Sequence, residues 1–156
     1  MSNYEFETIW EFSASLAAVW AEIEDADSWP IWWKGVLSSV EIEPGDENGV
    51  GSIRRTVWKS ALPYKLTFDS EVIRVEKHAL IEARANGDLT GTGIWRFEEV
   101  ESSKTRVIYD WRVTTDKAWM NKIAPLARPF FKWNHDVIMR WGQNGLRRRL
   151  MSKAVV

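Results

Sequence analysis

Residues 4–12 alternate, with Tyr4, Phe6, Thr8, Trp10 and Phe12 on one side and Glu5, Glu7, Ile9 and Glu11 on the other. That is the period-two pattern of a half-buried strand. Ser13 then offers a side-chain oxygen to the free amides of a helix in which Leu16, Val19, Trp20 and Ile23 share one stripe, ending near Asp25. A second short helix is predicted over 28–34, with Ser28 as its cap and Pro30 in its first turn, where a missing amide costs nothing. It turns Trp29, Trp32 or Trp33 inward.

After Gly35 the pattern becomes a series of strands, at 36–43, 50–60, 64–76, 79–87, 91–100 and 105–115. Each is bounded by turn chemistry: the Pro44 to Gly49 run, Leu62-Pro63, Glu76-Lys77-His78, Gly87-Asp88 and Glu101 to Lys104. Connections this short are hairpins, so the seven strands form an antiparallel meander and not βαβ crossovers. From Lys117 to about Leu150 the period returns to that of a helix, with Trp119, Ile123, Leu126, Phe130, Trp133, Val137, Trp141 and Gly145 at steps of three and four. That stripe is the expected core face. Pro125 and Pro129 predict a kink or break between 125 and 129. The fold class is therefore α+β, with two short helices between strands one and two and a long C-terminal helix.

Composition changes this picture in one respect. Of 156 residues, 45% are hydrophobic and 28% charged, ordinary values for one globular domain spanning 1–156. Eleven Trp, six Phe and three Tyr are more ring surface than a compact core needs, so part of it should border a cleft or cavity. The net charge of −1, with acids and bases interspersed, gives no field to recruit nucleic acid. With no cysteine, thiolate metal sites, disulfides and cysteine nucleophiles are excluded. No leader pattern or membrane-length apolar run is present, which leaves a cytoplasmic address as the expectation.

The element order resembles the START-like superfamily, also called SRPBCC or helix-grip, and within it the polyketide cyclase/dehydrase group. The likeness is carried by Val19-Trp20, by Asp25 to Trp29-Pro30 and Trp32-Trp33, and by Gly49-Val50-Gly51-Ser52. It continues through Gly87-Asp88-Leu89-Thr90-Gly91-Thr92-Gly93 with Trp95, and through Thr105-Arg106-Val107 with Tyr109-Asp110-Trp111. It implies a curved seven-stranded sheet wrapped around the C-terminal helix, with an apolar ligand such as a lipid, quinone or polyketide held between them. Gly91 and Gly93, with Ala83, Ala85 and Gly87, mark where such a sheet can bend or make room.

The expected ligand-facing side chains on the sheet are Trp10, Trp58, Tyr64, Phe68, Trp95, Tyr109 and Trp111. The helix segment 130–150 should add Phe130, Trp133, Asn134, Val137 and Trp141. Arg54 and Arg55 are adjacent on a strand and must face opposite ways, so one can enter the cavity, with Asp69, Glu71 or Asp110 as a partner. Cyclases of the superfamily use a cavity arginine, but no motif assigns that role to either position. Arg55, Tyr109 and Asp110 are the candidate catalytic groups. His78 and His135 are isolated and no zinc-ligand spacing occurs, so neither metal nor cofactor is expected. In the polar cluster Asn134-His135-Asp136, Asn134 sits at the margin of the inward stripe while His135 and Asp136 point to solvent. The run Arg147-Arg148-Arg149 with Lys153 complements the helix C-terminal dipole.

These readings favour a binding module for an apolar, ring-bearing small molecule. The alternative is an aromatase/cyclase or dehydratase in which polar cavity groups polarise a carbonyl. Trp29, Trp32 and Trp33 could touch a membrane transiently, but a cap over a cavity mouth needs apolar residues in any case, so no membrane partner is expected.

Overall fold

Alternation along the first segment builds β1 (Ser2–Phe12), which buries Tyr4, Trp10 and Phe12 while Glu5, Glu7 and Ile9 stay exposed. The computed structural model describes residues 2–115 and 118–154. Helix α1 (Leu16–Glu24) is capped by Ser15 and not by Ser13: the Ala18 amide donates to Ser15 Oγ at 3.2 Å. A capping oxygen reaches the amide three residues on, and Ser13 stands two residues too early for this helix. A single 3-10 turn (Ala26–Ser28) leads into α2 (Trp29–Trp32), shorter than expected. Ser28 does not cap it. Its hydroxyl donates to the Asp25 carbonyl (2.7 Å) and accepts from Trp32 Nε1 (3.1 Å), which fixes the Trp32 indole instead.

The meander follows as β2 (Val36–Glu43), β3 (Ile53–Lys59), β4 (Lys65–Glu76), β5 (Leu80–Gly87), β6 (Leu89–Glu101) and β7 (Lys104–Thr115). β3 starts three residues later than expected because the Asp46 carboxylate accepts the amides of Asn48 (2.9 Å) and Val50 (3.0 Å), holding that stretch as a turn. The seven strands form one open, curved antiparallel sheet in the order β1-β7-β6-β5-β4-β3-β2. β1 closes onto the last strand, Ser2 opposite Thr115 and Phe12 opposite Thr105.

Helix α3 (Ala118–Ala154) lies across the concave face against β1, α1 and α2, the expected helix-grip arrangement. It continues through positions 125 and 129 without a break. Pro129 is exposed, and Ala127 and Phe131 anchor the helix on either side of it. Lys117 and the side chains of Trp119, Ile123 and Pro125 lie outside the described residues. No described helix is long and apolar enough to cross a membrane.

The predicted phase of α3 is wrong by one residue. Leu126, Phe130 and Trp133 are exposed, and Val137 and Trp141 only half-buried, whereas Ala127, Phe131, Asn134, Met139, Gly142 and Leu146 are buried. Among the described residues of the predicted stripe, Gly145 alone is fully buried. Rings occur on both faces of this helix, so periodicity alone cannot choose between them; close approach chooses. A Cβ on Gly142 would meet the Trp33 indole at 2.6 Å, and one on Gly145 would overlap the Trp32 carbonyl. Only the face bearing these glycines can seat against α2.

Two apolar clusters result. One gathers Trp10, Phe12, Val19, Trp20, Trp33 and Leu146 beneath α1, α2 and the end of α3; the other gathers Tyr4, Phe68, Leu89, Trp111 and Phe131 beneath its beginning. Trp58 and Tyr109 pack against both.

Candidate functional site: an aromatic cavity between sheet and helix

A cavity of about 520 Å³ opens between the concave sheet and α3. Its sheet wall follows from alternation: Trp58 on β3, Phe68 on β4, Trp95 on β6, and Tyr109 and Trp111 on β7 all point inward, as expected. Trp29 and Trp33 close one end. Trp33 sits at the centre of the ring array, its centroid 4.9 Å from Trp58, 5.3 Å from Trp10 and 5.3 Å from Trp29, and its Nε1 donates to the Ile138 carbonyl at 2.9 Å. A flat apolar guest would find edges and faces of rings on several sides.

The open space comes from β5 and β6, where Ala83, Ala85 and Gly93 leave the floor smooth. A Cβ on Gly93 would meet the Tyr109 hydroxyl at 2.5 Å and the Trp111 ring at 3.0 Å, so these two rings lie across the glycine. Tyr109 stacks on Trp95 with centroids 4.1 Å apart, and among the described residues no group hydrogen-bonds its hydroxyl. Burial raises its pKa, so it stays a neutral phenol and a hydrogen-bond donor.

Asn134 is 3% exposed and uses both ends of its amide: Oδ1 accepts from the Ala61 amide (2.9 Å) and Nδ2 donates to the Tyr64 hydroxyl (3.3 Å). It ties α3 to the β3–β4 connection and lines the cavity together with Tyr64, whose pKa burial also raises. His135 departs from expectation. Its side chain is 13% exposed, stacked on Phe6 with centroids 4.2 Å apart, and lies at the cavity wall, while Asp136 beside it stays half-exposed. Neither ring nitrogen has a hydrogen bond among the described residues, and burial lowers the imidazole pKa to about 4.

The two arginines sort as strand geometry requires, and it is Arg54, not Arg55, that borders the cavity. The Arg54 side chain is 16% exposed and donates to Asp27 (2.7 Å) and Ser39 (3.2 Å). Arg55 lies on the outer face, paired through both nitrogens with Asp69 directly opposite on β4. Asp110 is on that outer face too, bonded to Arg96. Neither can touch a guest in the cavity. Trp10 is also removed from the site: it is 2% exposed and packed behind the wall against Trp33, Trp95 and Phe12. Phe130, Trp133, Val137 and Trp141 leave it because of the helix phase. Their places are taken by Phe131, Ile138 and Met139, which the sequence reading passed over, and by His135, which it turned to solvent. The signal was present in Gly142 and Gly145, which mark the close-packed face and lie in phase with Phe131, Asn134 and Ile138.

The basic run near the chain end also has a more specific use than the helix dipole. Arg149 (2.5 Å) and Lys153 both bond the carboxylate of Glu22 on α1, a residue 5% exposed. Burial opposes the Glu22 charge, yet the hydrogen bonds from Lys153 and Arg149 outweigh it and hold the pKa below the usual carboxylate value.

Among known structures, the chain is similar to the Zhui aromatase/cyclase from Streptomyces sp. R1128, at 14% identity and a TM-score of 0.80 over 98% of this chain and 96% of that one. It is similar also to a START superfamily protein from Mycobacterium smegmatis, at 13% identity and a TM-score of 0.77 over 95% and 97%. The di-domain aromatase/cyclase StfQ of the steffimycin pathway matches at 15% identity and 0.77 over 99% of this chain and 53% of that one. At such identities these likenesses speak for the fold. No curated protein matches by sequence. Residues 5–154 match the family described as "Polyketide cyclase / dehydrase and lipid transport", and the chain belongs to that family.

Proposed function

We propose that the chain binds an apolar, ring-bearing small molecule of lipid, quinone or polyketide type between the sheet and α3. The observation that carries this reading is the cavity of about 520 Å³ walled by rings, a volume within the usual range for small-molecule sites. Most of its wall area is apolar, and several of the polar groups that line it are already engaged: Thr56 accepts from Trp58 Nε1 (2.8 Å), Asn134 and Tyr64 hold each other, and Arg54 is paired with Asp27. The affinity would therefore come from buried apolar area and ring contacts. Native mass spectrometry or quenching of tryptophan fluorescence against lipids, quinones and aromatic polyketides tests it. Failure of every apolar class to bind would sink the proposal.

A second reading, an aromatase/cyclase, is favoured by the Tyr109 hydroxyl. A neutral phenol with no hydrogen-bond partner among the described residues, set in an apolar wall, can donate a hydrogen bond to a ligand carbonyl and stabilise charge that builds there. Its raised pKa suits that role better than proton transfer. If the chain is a cyclase, Tyr109→Phe should lower turnover of a poly-β-ketone substrate by roughly 10²-fold, the scale of losing one such donor, with binding nearly unchanged. If it is a binding module, wild type shows no turnover and the variant only shifts affinity.

A further inference from the structure

Among the described residues, the first part of the stripe that fails to face the cavity is open to solvent. Leu126, Phe130 and Trp133 are 85%, 63% and 51% exposed, and half-buried Val137 and Trp141 continue the same line. At steps of four, three, four and four they form a ridge roughly 22 Å long on the outer side of α3. Large apolar side chains exposed singly need no explanation, but a continuous aromatic ridge does.

Its charge surroundings point to the occupant. Of the charged side chains between 118 and 141, Arg128 is turned to the Tyr4 ring and the Asn3 carbonyl and Lys132 is paired with Asp136 at 2.9 Å, which leaves Lys122 and Arg140 as the charges beside the ridge. Lys122, four residues before Leu126, and Arg140, seven after Trp133, fall on the edge of the ridge and have no ion-pair partner among the described residues. At the far end the Lys34 ammonium lies 4.6 Å over the Trp141 ring. Leu, Phe and Trp on one face of a helix with Lys and Arg beside them is the pattern of a helix lying in a membrane surface, rings at the headgroup boundary and cations among anionic headgroups. A second copy fits less well, because two such faces would bring like charges together.

We propose that the outer ridge of α3 docks the protein on the surface of an anionic lipid bilayer, without spanning it. The helix then has a membrane side and a cavity side, with Phe131, Asn134 and Ile138 on the latter. The docking surface stands on its own exposure and charge, whatever the cavity holds.

Co-sedimentation with vesicles of phosphatidylcholine and phosphatidylglycerol, compared with phosphatidylcholine alone, tests this at low and high salt. Binding to the anionic vesicles is expected, weaker in high salt and on the neutral vesicles. The double variant Phe130→Ser/Trp133→Ser should bind at least about tenfold more weakly, and Lys122→Glu/Arg140→Glu roughly fivefold or more for each cation lost. Because the chain has no cysteine, an environment-sensitive dye can be placed by Phe130→Cys alone, with Arg84→Cys on an exposed sheet position as control. Anionic vesicles should shift the first dye to the blue and leave the second unchanged. This dye result decides the matter even if the double serine variant does not fold. The proposal is overturned if the dye at 130 does not respond, or if the folded double variant binds as the parent does. It is overturned equally by a concentration-dependent dimer that the double variant dissolves while vesicles are ignored, which would give the ridge to a second copy.

Discussion

His135 places an imidazole in an apolar seam, flat against Phe6, with neither nitrogen hydrogen-bonded among the described residues. Burial favours the neutral ring; the Asp136 carboxylate, 3.7 Å away, pulls the other way and Lys132 opposes it. In the unfolded chain the ring titrates near 6.5, and in the folded protein near 4. Between these values the unfolded chain binds a proton that the folded chain refuses, so stability falls as pH drops from 6.5 to 4 and this contribution levels off below. Over the full window it amounts to at most about 3 kcal/mol. His135→Phe keeps the stack and removes the proton site. Its denaturation midpoint should therefore lose less on acidification than that of wild type. Parallel curves for the two proteins between pH 6.5 and 4 would contradict this account.

At the scale of elements, α3 is seated by what two of its residues lack. Gly145→Ala should raise helix propensity by about 1 kcal/mol, yet its Cβ would overlap the Trp32 carbonyl, a backbone atom that cannot rotate away. We expect a net loss of about 2 kcal/mol or more in urea unfolding. A more stable variant would mean that propensity outweighs this contact. The same helix shows why part of the site was legible and part was not. Period two placed Trp58, Phe68, Trp95 and Trp111 on the inner face and set Arg54 and Arg55 on opposite faces, because a strand has only two, but it did not say which arginine faced in. On a helix with rings on both sides the polar residues mark nothing so clear. Phe130 and Phe131 are equally good core residues by composition, and only the backbone of α2, far away in sequence, selects between them. His135 was misplaced for the same reason, and Pro129 does not break the helix, which Ala127 and Phe131 hold on either side of it.

At the scale of the whole molecule, strands β2 to β7 each pair with their neighbour in sequence, whereas β1 pairs only with β7, Ser2 opposite Thr115. Closing that loop costs entropy that the local hairpins do not require. The meander is therefore expected to assemble first, leaving β1 and α3 to arrive last. Pulse-labelled amide exchange during refolding should find β4 to β7 protected before β1, and simultaneous protection of all strands would refute this order. During synthesis, the first strand made waits for the last. Its inward row of Tyr4, Phe6, Trp10 and Phe12 must remain without its sheet neighbour until Thr115 has left the ribosome, a long interval for a hydrophobic strand to depend on chaperones.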